Sequence, residues 1–324
     1  MATVPGVLRK LILAPAMTDV TFAGRGFRPA VTEMARHLES IPQHVVLGFE
    51  FGIEAPDEAD TVVRLSMVAR EFRGFAYEGA AMAFTVRDAM GARPGDRTAR
   101  FLAGAAAPHI FLAYIGVGFA MARLPRPLWS KILPGFDGGP VDPTVSWLVV
   151  DGYGFDRAYF DTDRWVRRQH VPRPYPWRGA PDYFLRAVDQ GIGRALWFIH
   201  GAEVPDVDAA VATFPESRQA DLWSGVGLAA AYAGAGDADG LKALREAAGE
   251  YRPEVAQGAV FAAKARVHGG LTTAHTETAS RVLCDLSAEE AAELGDQTAP
   301  GLAAPDGPVP RYETWRRRIQ AAFR

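Results

Sequence analysis

The stretch "LAYIGVGFAMARL" (112–124) decides how the rest of the chain is read. Its Gly116-Val117-Gly118 fits three incompatible structures. It could be a glycine loop that cradles a nucleotide, or part of a bilayer span formed by the uncharged run Phe101–Ala122. It could also be a helix whose missing side chains let another helix lie against it.

Self-similarity along the chain makes the choice. Related strings are "YEGAAMAF" (77–84), "VDGYGFDRAYF" (150–160), "DQGIGRALWF" (189–198), "WSGVGLAAAY" (223–232) and "AQGAVFAAKA" (256–265). Aligned on their first glycines, Gly79, Gly116, Gly152, Gly191, Gly225 and Gly258 stand 37, 36, 39, 34 and 33 residues apart. A second small residue follows two positions later (Ala81, Gly118, Gly154, Gly193, Gly227), with Val260 the exception. Four positions after the glycine comes alanine, except for Asp156 in the third copy. "LGFEFGIE" (47–54) is a weaker copy. Small residues at i and i+4 lie on one helical face, where they let a neighbouring helix approach.

Amphipathic stretches with polar starts alternate with these copies: "DEADTVVRLSMVAREF" (57–72), "DADGLKALREAAGEY" (237–251) and "TETASRVLCDLS" (276–287). The spacing predicts an all-α fold of two-helix repeats, 33–39 residues long, stacked as a solenoid or a closed α/α toroid. One domain is expected: an irregular lead-in over 1–56 with a helix at "PAVTEMARHLESI", repeats over 57–290, a connector over 295–310 and a capping helix over 311–324.

The other two structures for the opening stretch fit less well. A dinucleotide fold needs one glycine fingerprint after a strand, whereas this pattern recurs without strands. A span is interrupted by Pro108 and His109, and the equivalent copies carry Asp151, Asp156, Arg194 and Lys264, which are costly in a bilayer.

Bulk composition narrows the function. The chain has 324 residues, 48% hydrophobic and 23% charged, enough to bury a large core. A formal net charge of −3 gives no basic excess for nucleic acid. Cys284 is alone, so an internal disulfide and paired-cysteine zinc sites are excluded. The seven histidines form no metal-spaced helical pair, and there is no nucleophile elbow or lysine-bearing phosphate loop. No metal or cofactor is expected. "LRKLILAPAMTDV" (8–20) is too short and broken for a signal peptide, so a cytoplasmic location is expected.

Chemistry concentrates at the position before each glycine: Glu78, Ile115, Asp151, Gln190, Ser224 and Gln257. If the glycine helices face a common centre, these residues ring a cavity. Glu78 and Asp151 are the candidate acid/base pair, because two carboxylates in an apolar site can take different protonation states. Arg194 would balance one of them or hold an anionic substrate group. Tyr77, Tyr153, Phe155, Trp197 and Trp223 are candidate walls, with Gln190, Ser224 and Gln257 as polar contacts. The competing reading is that the polar residues cross-link neighbouring helices, as buried polar groups must. Arg218 and Asp221, one turn apart, would pair with each other or bridge repeats. The basic closing helix "RYETWRRRIQAAF" (311–323) would cap the last repeat or touch an anionic membrane.

"FRGFAYEGAAMA", "DGYGFDRAYF", "QGIGRALWFIHG" and "RQADLWSGVGLAAAYAGA" together resemble an uncharacterised bacterial family of unknown function carried in enediyne polyketide gene clusters. The resemblance extends from about residue 60 to 290. It implies a partner in building an enediyne-type polyketide, and it brings no catalytic residues with it. Three roles follow as expectations. The first is a cofactor-independent isomerase or cyclase acting on an apolar polyene. The second is a binding or scaffold protein for the polyketide intermediate, the synthase or its carrier protein. The third, least favoured, is a membrane-associated assembly factor.

Overall fold

The computed structural model describes residues 10, 14–27, 32–91, 95–132, 143–300 and 309–324. Residues 124–143, the connector 295–310 and the stretch 8–20 lie partly outside these residues. Among the described residues, all regular structure is helical. The chain divides into two compact units, one of Met1–Gly26 with Glu39–Tyr153 and one of Phe27–Leu38 with Gly154–Arg324. Each is described by itself.

The first unit holds most of α1 (Glu33–Glu54), then α2 (Glu58–Ser66), α3 (Arg70–Ala89), α4 (Arg97–Ala103), α5 (Ile110–Arg123) and the first half of α6 (Trp147–Phe160). The helix expected over 29–41 runs on to Glu54 with Pro42 inside it. The stretch 57–72 is two helices, because α2 ends at Ser66 and α3 begins at Arg70. Asp57 caps α2 by accepting from the Asp60 amide at 2.9 Å.

Glycine sets the packing. A Cβ built on Gly48 would run into the Ala76 carbonyl, and one on Gly79 into that of Val45. "LGFEFGIE" is therefore a full member of the array. Gly116 lies on the Glu78 carbonyl, Gly152 on that of Ile115, and Gly118 on that of Val149. Helix backbones touch at these points, and no other residue fits.

Phe101–Ala122 is not one rod. Arg97–Ala103 and Ala107–Arg123 are bent by 86°. Among the described residues no single helix is long and apolar enough to cross a membrane, although this bent pair passes by length and composition.

The second unit contains the start of α1, the end of α6, and α7 (Pro181–Ile199), α8 (Val204–Ala212), α9 (Glu216–Tyr232), α10 (Ala238–Ala247), α11 (Arg252–His268), α12 (Ala274–Cys284), α13 (Ala288–Thr298) and α14 (Arg311–Ala321). The glycine contacts recur with the same register. Gly154 lies on the Val188 carbonyl, Gly193 on Leu222, Gly225 on Gln190, Gly227 on Val255 and Gly258 on Ser224. Arg186 pairs with Asp221 near the N-terminal ends of α7 and α9, and Trp197, in the last turn of α7, bonds to Gly234 just beyond the C-terminal end of α9. The two helices therefore run in the same direction, with the short α8 returning between them.

The expected two-helix repeat holds here, with α8, α10 and α12 as second helices. It is not kept after α6, where residues 161–180 form short turns and irregular chain instead.

The glycine contacts give a direct test. Gly193→Ala and Gly225→Ala each force a methyl into neighbouring backbone and should cost about 2 kcal/mol or more of stability. Gly240→Ala, whose new methyl would meet only the Asp237 side-chain oxygen at 3.3 Å, should change stability by less than about 1 kcal/mol. Urea denaturation followed by circular dichroism distinguishes the two classes.

Candidate functional site

The glycine register carries the preceding residues to matching levels on successive helices. In the second unit, Gln190, Ser224 and Gln257 are all buried. Ser224 Oγ donates to Gln257 Oε1 at 2.8 Å, and Gln190 Nε2 donates to Asp221 Oδ1 at 3.0 Å and Tyr183 Oη at 3.3 Å. These three do come together, as a bonded network.

The closing helix completes it. Arg316 on α14 is only 1% exposed. Its Nε donates to Gln257 Oε1 at 3.0 Å, and one terminal nitrogen donates to Asp221 Oδ1 at 2.7 Å and Glu313 Oε2 at 2.8 Å. Arg186 reaches the same two carboxylates, Asp221 Oδ2 at 2.7 Å and Glu313 Oε1 at 2.8 Å. Two buried or half-buried guanidiniums thus alternate with two carboxylates, and the exposed Arg317 adds a third donor to Glu313 Oε1 at 2.7 Å, so each buried carboxylate is paired.

Burial works to raise the Glu313 carboxyl, but Arg316, Arg186 and the hydrogen bonds to it outweigh burial and hold it below its ordinary value. Burial pushes the Tyr183 phenol up, so it stays protonated. Trp315 donates to the Gly295 carbonyl at 2.8 Å, and its ring packs 4.7 Å from Phe261. Helix α14 is therefore a core element of the second unit, with Tyr312, Trp315 and Ile319 buried.

Arg218 and Asp221 both bridge repeats, but not to each other. Asp221 serves Arg186 and Arg316, while Arg218 donates to Asp189 through Nε at 3.0 Å and a terminal nitrogen at 2.5 Å. Burial raises the Asp189 carboxyl to about 6 despite the Arg218 hydrogen bonds and charge.

At the end of α9, four carbonyls receive side-chain donors. His275 Nε2 bonds Ala230 at 2.8 Å, Arg266 bonds Tyr232 at 2.7 Å, His37 Nε2 bonds Ala233 at 2.8 Å and Trp197 Nε1 bonds Gly234 at 2.9 Å. A helix leaves such carbonyls unbonded, so these residues cap it. The structure places Trp197 in this cap, and Trp223 is likewise fully buried. The Arg194 guanidinium sits 4.9 Å over the Phe155 ring, which also meets Tyr159 and Phe198.

In the first unit, Glu78 on α3 and Asp151 on α6 are 4% and 2% exposed. Gly116 and Gly152 tie α3 and α6 to α5, which places α5 between the two helices that carry them. Tyr77 stacks on Phe101 at 5.6 Å and lies 4.3 Å from the His109 ring. Burial raises its phenol, with Arg73 opposing. Tyr153 meets Trp129 edge-on at 5.2 Å.

A separate cleft of about 730 Å³ opens in the second unit, lined by Arg245, Arg252, Asp285, Glu293, Phe323 and Arg324 among others. The Cys284 thiol at its edge is buried and pushed up to about 12, so it is no nucleophile at neutral pH.

Sequence reasoning missed Tyr183, Arg186, Glu313 and Arg316. Tyr183 and Arg186 lie seven and four residues before Gln190, on the same helical face, so that face read one turn earlier would have shown them. No local signal marks Arg316, whose partner Asp221 is 95 residues away.

The fold and these interiors define an all-α protein of glycine-apposed helices with buried ionic cross-links. A family model described as protein of unknown function (DUF1702) matches residues 4–323, and the chain belongs to that family. Comparison with curated proteins finds no match, and comparison with solved structures finds none.

Two measurements test the site. Arg316→Ala leaves the buried Asp221 with Arg186 alone and takes the guanidinium donor from Gln257 Oε1, and should cost about 3–5 kcal/mol in urea denaturation. Asp189 is the pH test. A carboxyl raised in the folded state binds more protons there than in the unfolded chain, so its contribution falls as pH rises from about 4 to about 6. Asp189→Asn should remove that slope from the stability–pH curve.

Proposed function

We propose that this chain is an accessory protein of enediyne-type polyketide assembly, a cofactor-independent acid/base enzyme acting on an apolar polyene held within a helical-repeat array. The resemblance of its four long motifs to proteins of enediyne gene clusters supports the pathway. The observation that carries the chemistry is the burial of Glu78 and Asp151 at equivalent register positions among alanine, glycine and aromatic residues. A carboxyl in such surroundings is poised to hold or release a proton on demand. Tyr77 and Tyr153, near Glu78 and Asp151 in sequence, would exclude water.

A second reading, a non-catalytic holder of the polyketide intermediate, the synthase or its carrier protein, has one observation in its favour. Gln190, Ser224 and Gln257 already bond to protein partners, as a scaffold requires.

The two readings part on substitution. In a producing strain, Glu78→Gln and Asp151→Asn should abolish the downstream metabolite and accumulate its precursor, with melting temperature shifted by only a few degrees. Purified protein added to that precursor should restore the product. If the metabolite profile of both variants matches the wild type, the enzyme reading fails and the holder stands.

A further inference from the structure

Between α6 and α7 the chain forms a π-helical turn, Asp163–Arg167, followed by irregular backbone to Pro176. π-turns are rare and concentrate at functional positions. The segment "DRWVRRQHVPRPYPWRG" (163–179) places Arg164, Arg167, Arg168, Arg173 and Arg178 within fifteen residues, against the single carboxylate of Asp163. On a chain of net charge −3, this is a local excess of the opposite sign.

The segment is held in shape from beneath. Trp165, Val166 and Trp177 are buried. Gln169 donates to the Thr213 carbonyl at 2.7 Å, and its own carbonyl accepts from Arg218 at 3.2 Å. Arg164 donates to His170 Nε2 at 2.9 Å, which requires a neutral imidazole. Burial and the Arg164 charge both lower the His170 pKa and keep it so. Gln169 (φ 51°) and Arg178 (φ 48°) adopt left-handed backbone without being glycine, a strain that persists only where surroundings enforce it. Pro172, Pro174 and Pro176 stiffen the chain between them.

The outer side is solvated and basic. The Arg167 and Arg168 side chains are 75% and 70% exposed, sharing Asp163, and Arg173 is exposed. Val171, 55% exposed, stands among them.

We propose that residues 163–178 form a preshaped docking platform for an acidic protein surface. Arginine forks match carboxylates in two-point contacts. Strung along fifteen residues rather than gathered at one point, they suit a spread of carboxylates better than a single small anion. Val171 and the prolines add the apolar contact that protein interfaces use between charges. The platform does not depend on any chemistry at Glu78 or Asp151.

The test uses the full chain, with fluorescein-labelled poly-L-glutamate as probe and anisotropy as readout. Wild-type protein should bind, and added salt should weaken binding. The triple variant Arg167→Gln/Arg168→Gln/Arg173→Gln should bind about tenfold more weakly, with an unchanged melting temperature. The charge-matched variant Arg100→Gln/Lys242→Gln/Arg281→Gln, exposed elsewhere, should bind within about twofold of wild type. Gln169→Ala, which keeps every charge but releases the Thr213 bonds, should weaken binding about threefold through lost preorganisation. Failure of the wild type to bind, or equal loss in the charge-matched variant, overturns the platform. Flotation with phosphatidylglycerol vesicles in the absence of poly-L-glutamate binding overturns it in favour of a membrane surface. Full affinity in Gln169→Ala overturns the role of the held shape.

Discussion

Backbone contact between helices at glycine is the constraint on which each unit is built. A glycine before the shared small-residue stretch meets the carbonyl of the residue preceding the equivalent glycine on the helix before it, as Gly225 does at Gln190 and Gly116 at Glu78. The glycine two positions later meets a carbonyl on the helix that follows, as Gly193 does at Leu222 and Gly118 at Val149. With no side chain to slide past, each pair locks to one register. Dispersion contacts between closely fitted backbones then do the work that large interdigitating side chains do elsewhere.

This locking explains the polar interior of the second unit. A fixed register brings Gln190, Ser224 and Gln257 to one level whether or not solvent can reach them. Buried amides and hydroxyls must then find protein partners. Ser224 and Gln257 satisfy each other, and the remaining capacity at Gln257 and Asp221 is met by Arg316 arriving from α14. Burying one guanidinium demands a compensating carboxylate, which Glu313 supplies from the same helix, and Arg186 balances the second carboxylate. Each addition follows from the previous one.

The repeat and its period were legible because glycine spacing is a local signal written six times. The weak copy at Gly48 also obeyed the contact rule, so its lower similarity reflected side chains away from the contact point. Less legible were the features that oppose local rules. Pro42 does not end α1, although an interior proline removes one backbone bond and usually stops a helix. The loop 161–180 replaces a helix, and only its second half, from His170 on, is marked as loop by its prolines. Arg218 and Asp221 read either as each other's partners one turn apart or as bridges between repeats, and only tertiary contacts decide for the bridges, giving each an ion on another helix. Trp197 shows the same limit. Its helical spacing marked it as a wall, while its indole nitrogen was needed at the end of α9.

The two units assign different chemistry to the same repeat position. In the second unit it carries neutral side chains, with the charges displaced along the face and each carboxylate paired with arginine. Moving a proton through that cluster would unbalance it, so it is suited to holding α14 rather than to turnover. In the first unit the position carries carboxylates at Glu78 and Asp151, with Ile115 between them. Isoleucine can neither donate nor accept a hydrogen bond through its side chain, so the row of polar side chains at this position is broken at Ile115. On the proposed acid/base reading, that break is what would let the two carboxyls act independently rather than share one proton.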